Sequence, residues 1–285
     1  LGGNYFIPNT LVALFLSSLR RKKIYWFGER LYSAGPIKTF VKKIMLQPIL
    51  RLTDGVFAVG ADAIASYKGY GYQRDCFNIP YNIDNKKFDK KFLEDKKLKA
   101  LQQTLNAENK LIVLTSGSLI SRKGMDVAIR AFRAVAAENK SRSELWVLGD
   151  GELRSELEYL AEDENNIKFL GFLQPSEIPY IFGLSDIFLF CSKYDGWAVV
   201  INEAISAGLP VITSMQARAS ELVLAGDLGY VHDCGEIYKF TESLELLISD
   251  SKLRGELSAR AKLFAKTCNS SSMADKVLQV ITPND

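Results

Sequence analysis

The 285-residue chain has one histidine, His232, and four scattered cysteines, Cys76, Cys191, Cys234 and Cys268. A single histidine excludes a His-rich metal site, the HExxH zinc helix and a Ser-His-Asp triad. No two cysteines form a CxxC pair, so neither a disulfide framework nor a zinc cage is expected, and a reducing cytosol is the expected compartment. Gly-Lys-Ser/Thr occurs nowhere, which excludes a Walker A loop. No apolar run reaches the roughly 18 residues of a membrane span. The nearest, Leu11 to Leu19, is broken by Ser17 and Ser18 and is followed by Arg20-Arg21-Lys22-Lys23. A signal peptide carries its positive charge before the apolar stretch, so this is not one. The chain opens at Leu1 rather than Met, and a preceding segment is expected.

What is present is an ordinary globular composition, 47% apolar and 24% charged, long enough for two domains or for one and part of a second. The net charge of +3 conceals an asymmetry. Residues 1–110 carry 19 basic and 9 acidic residues, and the remainder carries 17 and 24. Such a division suggests two parts with different partners. The lysine-rich run from Lys86 to Lys99 reads either as a solvated face or as attraction to an anionic membrane or acceptor. Aromatic residues do not interleave with the basic ones in a nucleic-acid motif, so nucleic acid is not an expected partner.

From residue 110 onward short apolar runs alternate with helical periodicity. Strands are predicted at Leu111–Thr115, Leu145–Leu148, Ile167–Leu170, Ile187–Cys191, Val211–Thr213 and Tyr230–Val231. Helices are predicted between them, one running from Met125 to Ala136, and a mostly helical tail runs from Glu236 to Ile281. This alternation predicts an α/β fold with a doubly wound parallel sheet, whose ligands bind beyond the carboxyl ends of the strands. The first 108 residues are less regular. A helix at Leu46–Leu52, a strand at Gly55–Val59, a helix at Ala61–Tyr67 and a strand at Cys76–Pro80 are expected, and the lysine-rich stretch is read as a connection.

Three segments could carry chemistry. In Gly117-Ser118-Leu119-Ile120-Ser121-Arg122-Lys123-Gly124 a glycine ends a strand, and backbone N–H groups beside two cations suit a diphosphate; a surface Arg-Lys pair at a turn reads equally well. Gly149-Asp150-Gly151-Glu152 is half of a GxGxxG fingerprint, with Arg154 where the third glycine belongs, so a tight turn explains it without NAD. Asp195-Gly196-Trp197 through Asn202-Glu203 sets two carboxylates eight residues apart around a helix start. One can accept bonds from a ribose diol and the other from a sugar hydroxyl, with the helix N-terminus facing phosphate; capping by Asp195 and a satisfied Glu203 is the plainer alternative.

The stretch from Asp195 to Gly208-Leu209-Pro210-Val211-Ile212 resembles the E-x7-E region of retaining GT-B glycosyltransferases of family 4 type. Arg122-Lys123-Gly124 resembles that family's phosphate loop, and Gly171-Phe172-Leu173 its nucleobase loop. Pro80-Tyr81-Asn82-Ile83-Asp84 with Phe88 resembles the segment closing its acceptor domain. The resemblance implies a GT-B-like fold: a complete C-terminal Rossmann-like doubly wound parallel sheet plus a partial N-terminal α/β domain. The expected boundaries are 1–108 for the acceptor side and linker, 109–268 for the donor domain, and 269–285 for a helix crossing back.

The resemblance further implies a hexosyltransferase that needs no metal and no cofactor beyond its UDP- or GDP-type donor, in keeping with the absence of Asp-x-Asp. Arg122, Lys123 and Asp195 are the implied catalytic residues. Gly117, Ser118, Phe172, Leu173, Gly196, Trp197 and Glu203 are the implied donor-binding residues, with Glu203 on the ribose. The acceptor would be a glycan or glycolipid of the cell surface, met in the cytoplasm at the inner face of the membrane. Three departures stand out. Asp195 replaces the usual Glu, Ser118 replaces a frequent Arg, and residues 1–108 are too few for a whole acceptor domain and lack its histidine, as in an N-terminally truncated member. The alternative is a nucleotide-sugar-binding module without turnover; a sugar-nucleotide epimerase and a dehydrogenase rank behind both.

Overall fold

A computed structural model describes residues 7–31 and 35–282. The chain divides into two compact units, the first formed by residues 1–81 with 275–285 and the second by residues 82–274.

In the first unit α1 (Pro8–Leu19), β1 (Tyr25–Gly28), α2 (Pro36–Arg51), β2 (Gly55–Ala58), α3 (Ala61–Gly69) and β3 (Asp75–Asn78) follow in order, and the three strands form a parallel sheet β1-β2-β3. Alternate side chains of each strand face opposite sides of the sheet. Trp26, Val56 and Ala58 bury against Leu14 of α1, Leu46 and Leu50 of α2 and Tyr67 of α3. On the other side Tyr25 stacks on Phe57 at 5.1 Å, and Phe57 meets Phe77 at 5.8 Å. Both α1 and α2 open with proline at their first turn, where the missing N–H costs nothing.

The second unit contains α4 (Asp95–Thr104), β4 (Leu111–Ser116), α5 (Met125–Arg133), α6 (Ala137–Ser141), β5 (Ser143–Leu148), α7 (Arg154–Leu160), β6 (Ile167–Gly171), α8 (Ile178–Leu184), β7 (Ile187–Phe190), α9 (Val199–Ala207), β8 (Val211–Ser214), α10 (Ser220–Gly226), β9 (Gly229–His232), α11 (Ile237–Ser249) and α12 (Ser251–Ala265). The helix α13 (Ser270–Ile281) starts in it and ends in the first unit. Its six strands are all parallel in the order β6-β5-β4-β7-β8-β9. Counted along this unit the order is 3-2-1-4-5-6, that of a Rossmann sheet, which reverses direction between β4 and β7.

Helices cover both faces. On one, Val113, Val147 and Leu189 pack with Phe132 of α5 and Phe240 and Leu244 of α11. On the other, Phe188 stacks on Phe182 of α8 at 5.6 Å. The strands are therefore apolar on both sides, which is why they read as continuous runs.

Two expectations are corrected. Residues 82–108 belong to the second unit rather than to a first part ending at 108. They are packed onto it: Phe88 meets Phe182 edge-on at 5.3 Å, Asn85 donates to the carbonyls of Ala265 and Cys268, and Lys168 donates to the carbonyl of Leu105. The segment expected to be one helix from Met125 to Ala136 stops at Arg133 and resumes as α6.

Candidate functional site

The loops after β4 and β7 lie on either side of the point where strand order reverses, the place where an open parallel sheet leaves a crevice for ligand. Each carries part of the candidate set. Ser121–Lys123 is a single turn closed by Gly124 at φ +65°, and α5 follows directly. A Cβ on Gly124 would stand 1.9 Å from the carbonyl oxygen of Cys191, so only glycine lets the two loops touch. They are then bonded together: the carbonyl of Arg122 accepts from the Lys193 N–H at 2.8 Å and from Ser192 Oγ at 2.9 Å. Lys193 Nζ reaches Asp126 of α5 at 2.9 Å.

This contact pairs Lys123 with Asp195. The Lys123 ammonium donates to Asp195 Oδ2, both side chains being mostly buried, and lies 5.4 Å from the centre of the Phe190 ring. Arg122 approaches the same oxygen at 3.8 Å but remains half-exposed. The lysine stem passes beside Gly117, where an added Cβ would stand 3.8 Å from Lys123 Cδ and 3.3 Å from Met125 Cε. Asp195 Oδ1 accepts from the Trp197 N–H at 3.3 Å, and Trp197 Nε1 donates to Asn202 Oδ1 at 3.0 Å. Between them Gly196 passes the chain into Ala198, which holds φ 72° at the start of α9. An alanine in the left-handed region is strained, and such strain persists where surrounding bonds over-determine it.

The sequence reading did not foresee the loop after β8. Asp195 N–H donates to the Gln216 carbonyl at 3.1 Å, Arg218 N–H donates to the Asp195 carbonyl at 3.4 Å, and Asp195 bridges Ala217 as an extra parallel rung. Gln216 is itself clamped, donating to Asp233 Oδ2 at 2.6 Å and accepting from the Cys234 N–H at 3.1 Å. The only sequence sign was its place at the carboxyl end of a predicted strand.

Glu203 lies about one turn into α9, half-buried, and among the described residues its carboxylate has no hydrogen-bond or ion-pair partner. Burial pushes its pKa up to about 7. It does not touch the Lys123–Asp195 pair. Ser118 is exposed on the β4 loop. Phe172, 69% exposed, and the half-buried Leu173 stand on the loop after the edge strand β6. That loop joins the β5 loop through the bond from Gly149 N–H to the Gly171 carbonyl at 2.9 Å. Gly149-Asp150-Gly151 proves to be packing: a Cβ on Gly149 would meet the Gly117 carbonyl at 2.0 Å. His232 ends β9 and bonds Ser243 Oγ at 2.7 Å, away from these residues. A cavity of about 850 Å³ near the far end of α9, lined by Ser206, Asn85 and Lys262, contains none of the candidates. Among the described residues no cluster of three His, Cys, Asp or Glu is placed to hold a metal ion.

A Rossmann-ordered sheet with an ion pair where its strand order reverses defines a doubly wound α/β unit. The family described as glycosyl transferases group 1 matches residues 96–264, more than half of the chain, and the chain belongs to it. Spore coat protein SA of Bacillus subtilis is 29% identical over 167 residues, 55% of this chain and 44% of its own length. Lipopolysaccharide glucosyltransferase WaaG of Escherichia coli is 27% identical over 187 residues, 61% of this chain and 47% of its own. The chain thus spans about half the length of these curated relatives. Among solved structures, HepE of Anabaena in complex with UDP superposes with a TM-score of 0.83 at 19% identity, covering 95% of this chain and 75% of that one. The structure of WaaG superposes at 0.70 and 18% identity, covering 97% and 82%. The fold is that of the GT-B glycosyltransferases.

Proposed function

We propose that the chain carries the donor site of a retaining, family 4 type glycosyltransferase, which moves a hexosyl group from a UDP- or GDP-linked donor to a glycan or glycolipid acceptor of the cell surface. The work would be done in the cytoplasm at the inner face of the membrane, without a metal. The observation that carries this reading is the pairing of Lys123 with Asp195 across the switch point, with Arg122 beside them and α9 starting just beyond. Relatives named for lipopolysaccharide and mannolipid synthesis, and neighbours solved with UDP, support the class of acceptor and of donor.

In this reading the donor diphosphate lies over the β4 loop. Lys123 and Arg122 face the phosphoryl oxygens that gain charge as the anomeric bond breaks, a preorganised stabilisation that costs no reorganisation. The N-terminus of α9 adds its dipole. Asp195, released in part from Lys123, accepts a hydroxyl of the transferred sugar. Glu203, without a protein partner, accepts the two ribose hydroxyls, while Phe172 and Leu173 cover the base. The acceptor oxygen attacks from the face the diphosphate leaves, so configuration is retained without a protein nucleophile.

Thermal unfolding with UDP, GDP, ADP and NAD tests the donor site. Ligand at 100 times its Kd adds about 2.7 kcal/mol, a rise of about 5–11 °C. We expect one nucleoside diphosphate to give this shift and Glu203→Ala to lose it; a shift with NAD alone would sink the assignment. Transfer from the matching nucleotide-sugar separates the enzyme from a binding module without turnover.

A further inference from the structure

The helix α9 is apolar but for three side chains, Asn202, Glu203 and Ser206. Asn202 and Ser206 stand four residues apart, so they share one face of the helix, and both are buried. Apolar side chains would pack there without loss of hydration, whereas a buried polar group has to be bonded. Both are bonded, and toward opposite ends of the helix. Asn202 Oδ1 accepts from Trp197 Nε1 at 3.0 Å, and the Trp197 N–H is the donor on Asp195 Oδ1. Ser206 Oγ lies 2.9 Å from Asn85 Oδ1 and 2.8 Å from the carbonyl oxygen of Asn202. A line of polar contacts therefore runs along α9, from Asp195 before its start to Asn85 at its far end.

The Ser206 hydroxyl has one proton and two acceptors within reach. The first acceptor is held in place. Asn85 Nδ2 donates to the carbonyls of Ala265 and Cys268, which fixes the amide and leaves Oδ1 facing Ser206. Reversed, the amide would set its oxygen against those two carbonyls. The rival acceptor belongs to the helix itself. A serine that bonds back to the carbonyl four residues earlier slightly destabilises its helix and often bends it. Here that carbonyl is the one of Asn202, whose side chain holds the Trp197 indole. The packing of Ile201, Ala204 and Ile205 into the core is non-directional and does not decide between the two acceptors.

We propose that Asn85 is a positioning residue for the switch-point pair: by drawing the Ser206 proton away from the Asn202 carbonyl it spares α9 that bend, and so keeps Trp197 on Asp195. Every group in this line belongs to the second unit. Asn85 itself bonds none of the candidate residues and acts only through Ser206. What Asp195 then does for a donor sugar rests on the function proposed above; the contacts themselves do not.

Amide hydrogen exchange over residues 195–207 of the full chain, measured beside kcat for sugar transfer, tests it. We expect Asn85→Ala to speed exchange there and to lower kcat, each roughly fivefold, the worth of one hydrogen bond. Ser206→Ala, which removes the proton in dispute, should leave both near wild type. The double variant should recover both, a rescue that a merely structural role for Asn85 does not provide. Wild-type exchange over 195–207 in Asn85→Ala would overturn the proposal. So would faster exchange throughout the second unit in that variant, which would make Asn85 a residue of the fold. A loss in Ser206→Ala as large as in Asn85→Ala, without recovery in the double variant, would overturn it too, since Asn85 would then act as a tether. Absence of nucleotide binding by the wild type sinks the donor site instead, and the exchange measurement still decides the role of Asn85.

Discussion

Of the candidate residues, Glu203 is the one whose burial shifts its carboxyl toward neutral pH. Its folded pKa is about 7, above the ordinary glutamate value, because burial disfavours the carboxylate. Between about pH 4.5 and 7 the folded chain therefore holds a proton that the unfolded chain has lost. Stability contributed by this group is present at low pH and is lost as pH rises through that window, by on the order of 2–3 kcal/mol. Denaturant melts at pH 5 and pH 8 should show this loss, and Glu203→Gln should flatten it. In the proposed donor site binding would have the opposite sign, since ribose hydroxyls would need an ionised acceptor at Glu203. Affinity for a nucleotide-sugar, whose diphosphate does not titrate here, should rise by up to about tenfold per pH unit below 7 and level off above it. Titration calorimetry across the range checks this, and Glu203→Gln should lose the slope. Ala198 offers a second test: Ala198→Gly should stabilise by about 0.5–1 kcal/mol, because glycine adopts its left-handed backbone without strain.

The loops act as a unit because their backbones touch. Gly124→Ala would drive a Cβ into the Cys191 carbonyl at a left-handed position, and a loss on the order of 2–4 kcal/mol is expected in chemical unfolding, with weaker nucleotide binding. Gln216→Ala leaves the strand intact but releases the loop after β8 from Asp233 and Cys234. It should reduce turnover more than stability, and parallel measurement of kcat and unfolding separates the two. The alternating elements of the second unit were legible because parallel strands buried on both faces leave unbroken apolar runs. In the first unit α1, β1 and the first half of α2 were not. Tyr25-Trp26-Phe27 is too short and too close to four cations to stand out, and α2 lacks periodic contrast because both of its sides are apolar. Lys123 and Asp195 were each singled out through the family resemblance, but their contact was not legible, since 72 residues separate the partners. The support from Gln216 had no local signal.

At the scale of the whole molecule the two units are packed around separate cores among the described residues, the first around Trp26 and Tyr67 and the second with Phe132 and Phe240 on one face of its sheet and Phe182 and Phe188 on the other. Enthalpy scales with residue number, so calorimetry should resolve two transitions in a ratio of about one to two. Nucleotide should move only the larger. The boundary at 81 rather than 108 escaped sequence reading because α4 is lysine-rich, and a solvated helix buried only through Leu98 looks like a linker.

The three tryptophans fall unequally between the two units: Trp26 in β1 of the first, Trp146 in β5 and Trp197 beside Asp195 in the second, all fully buried. With Trp146 replaced by phenylalanine, each unit would keep a single indole emitter, one marking the melting of the first sheet and the other lying within bonding distance of the switch-point loop. The two halves of the chain would then be followed separately, by the colour of their own light.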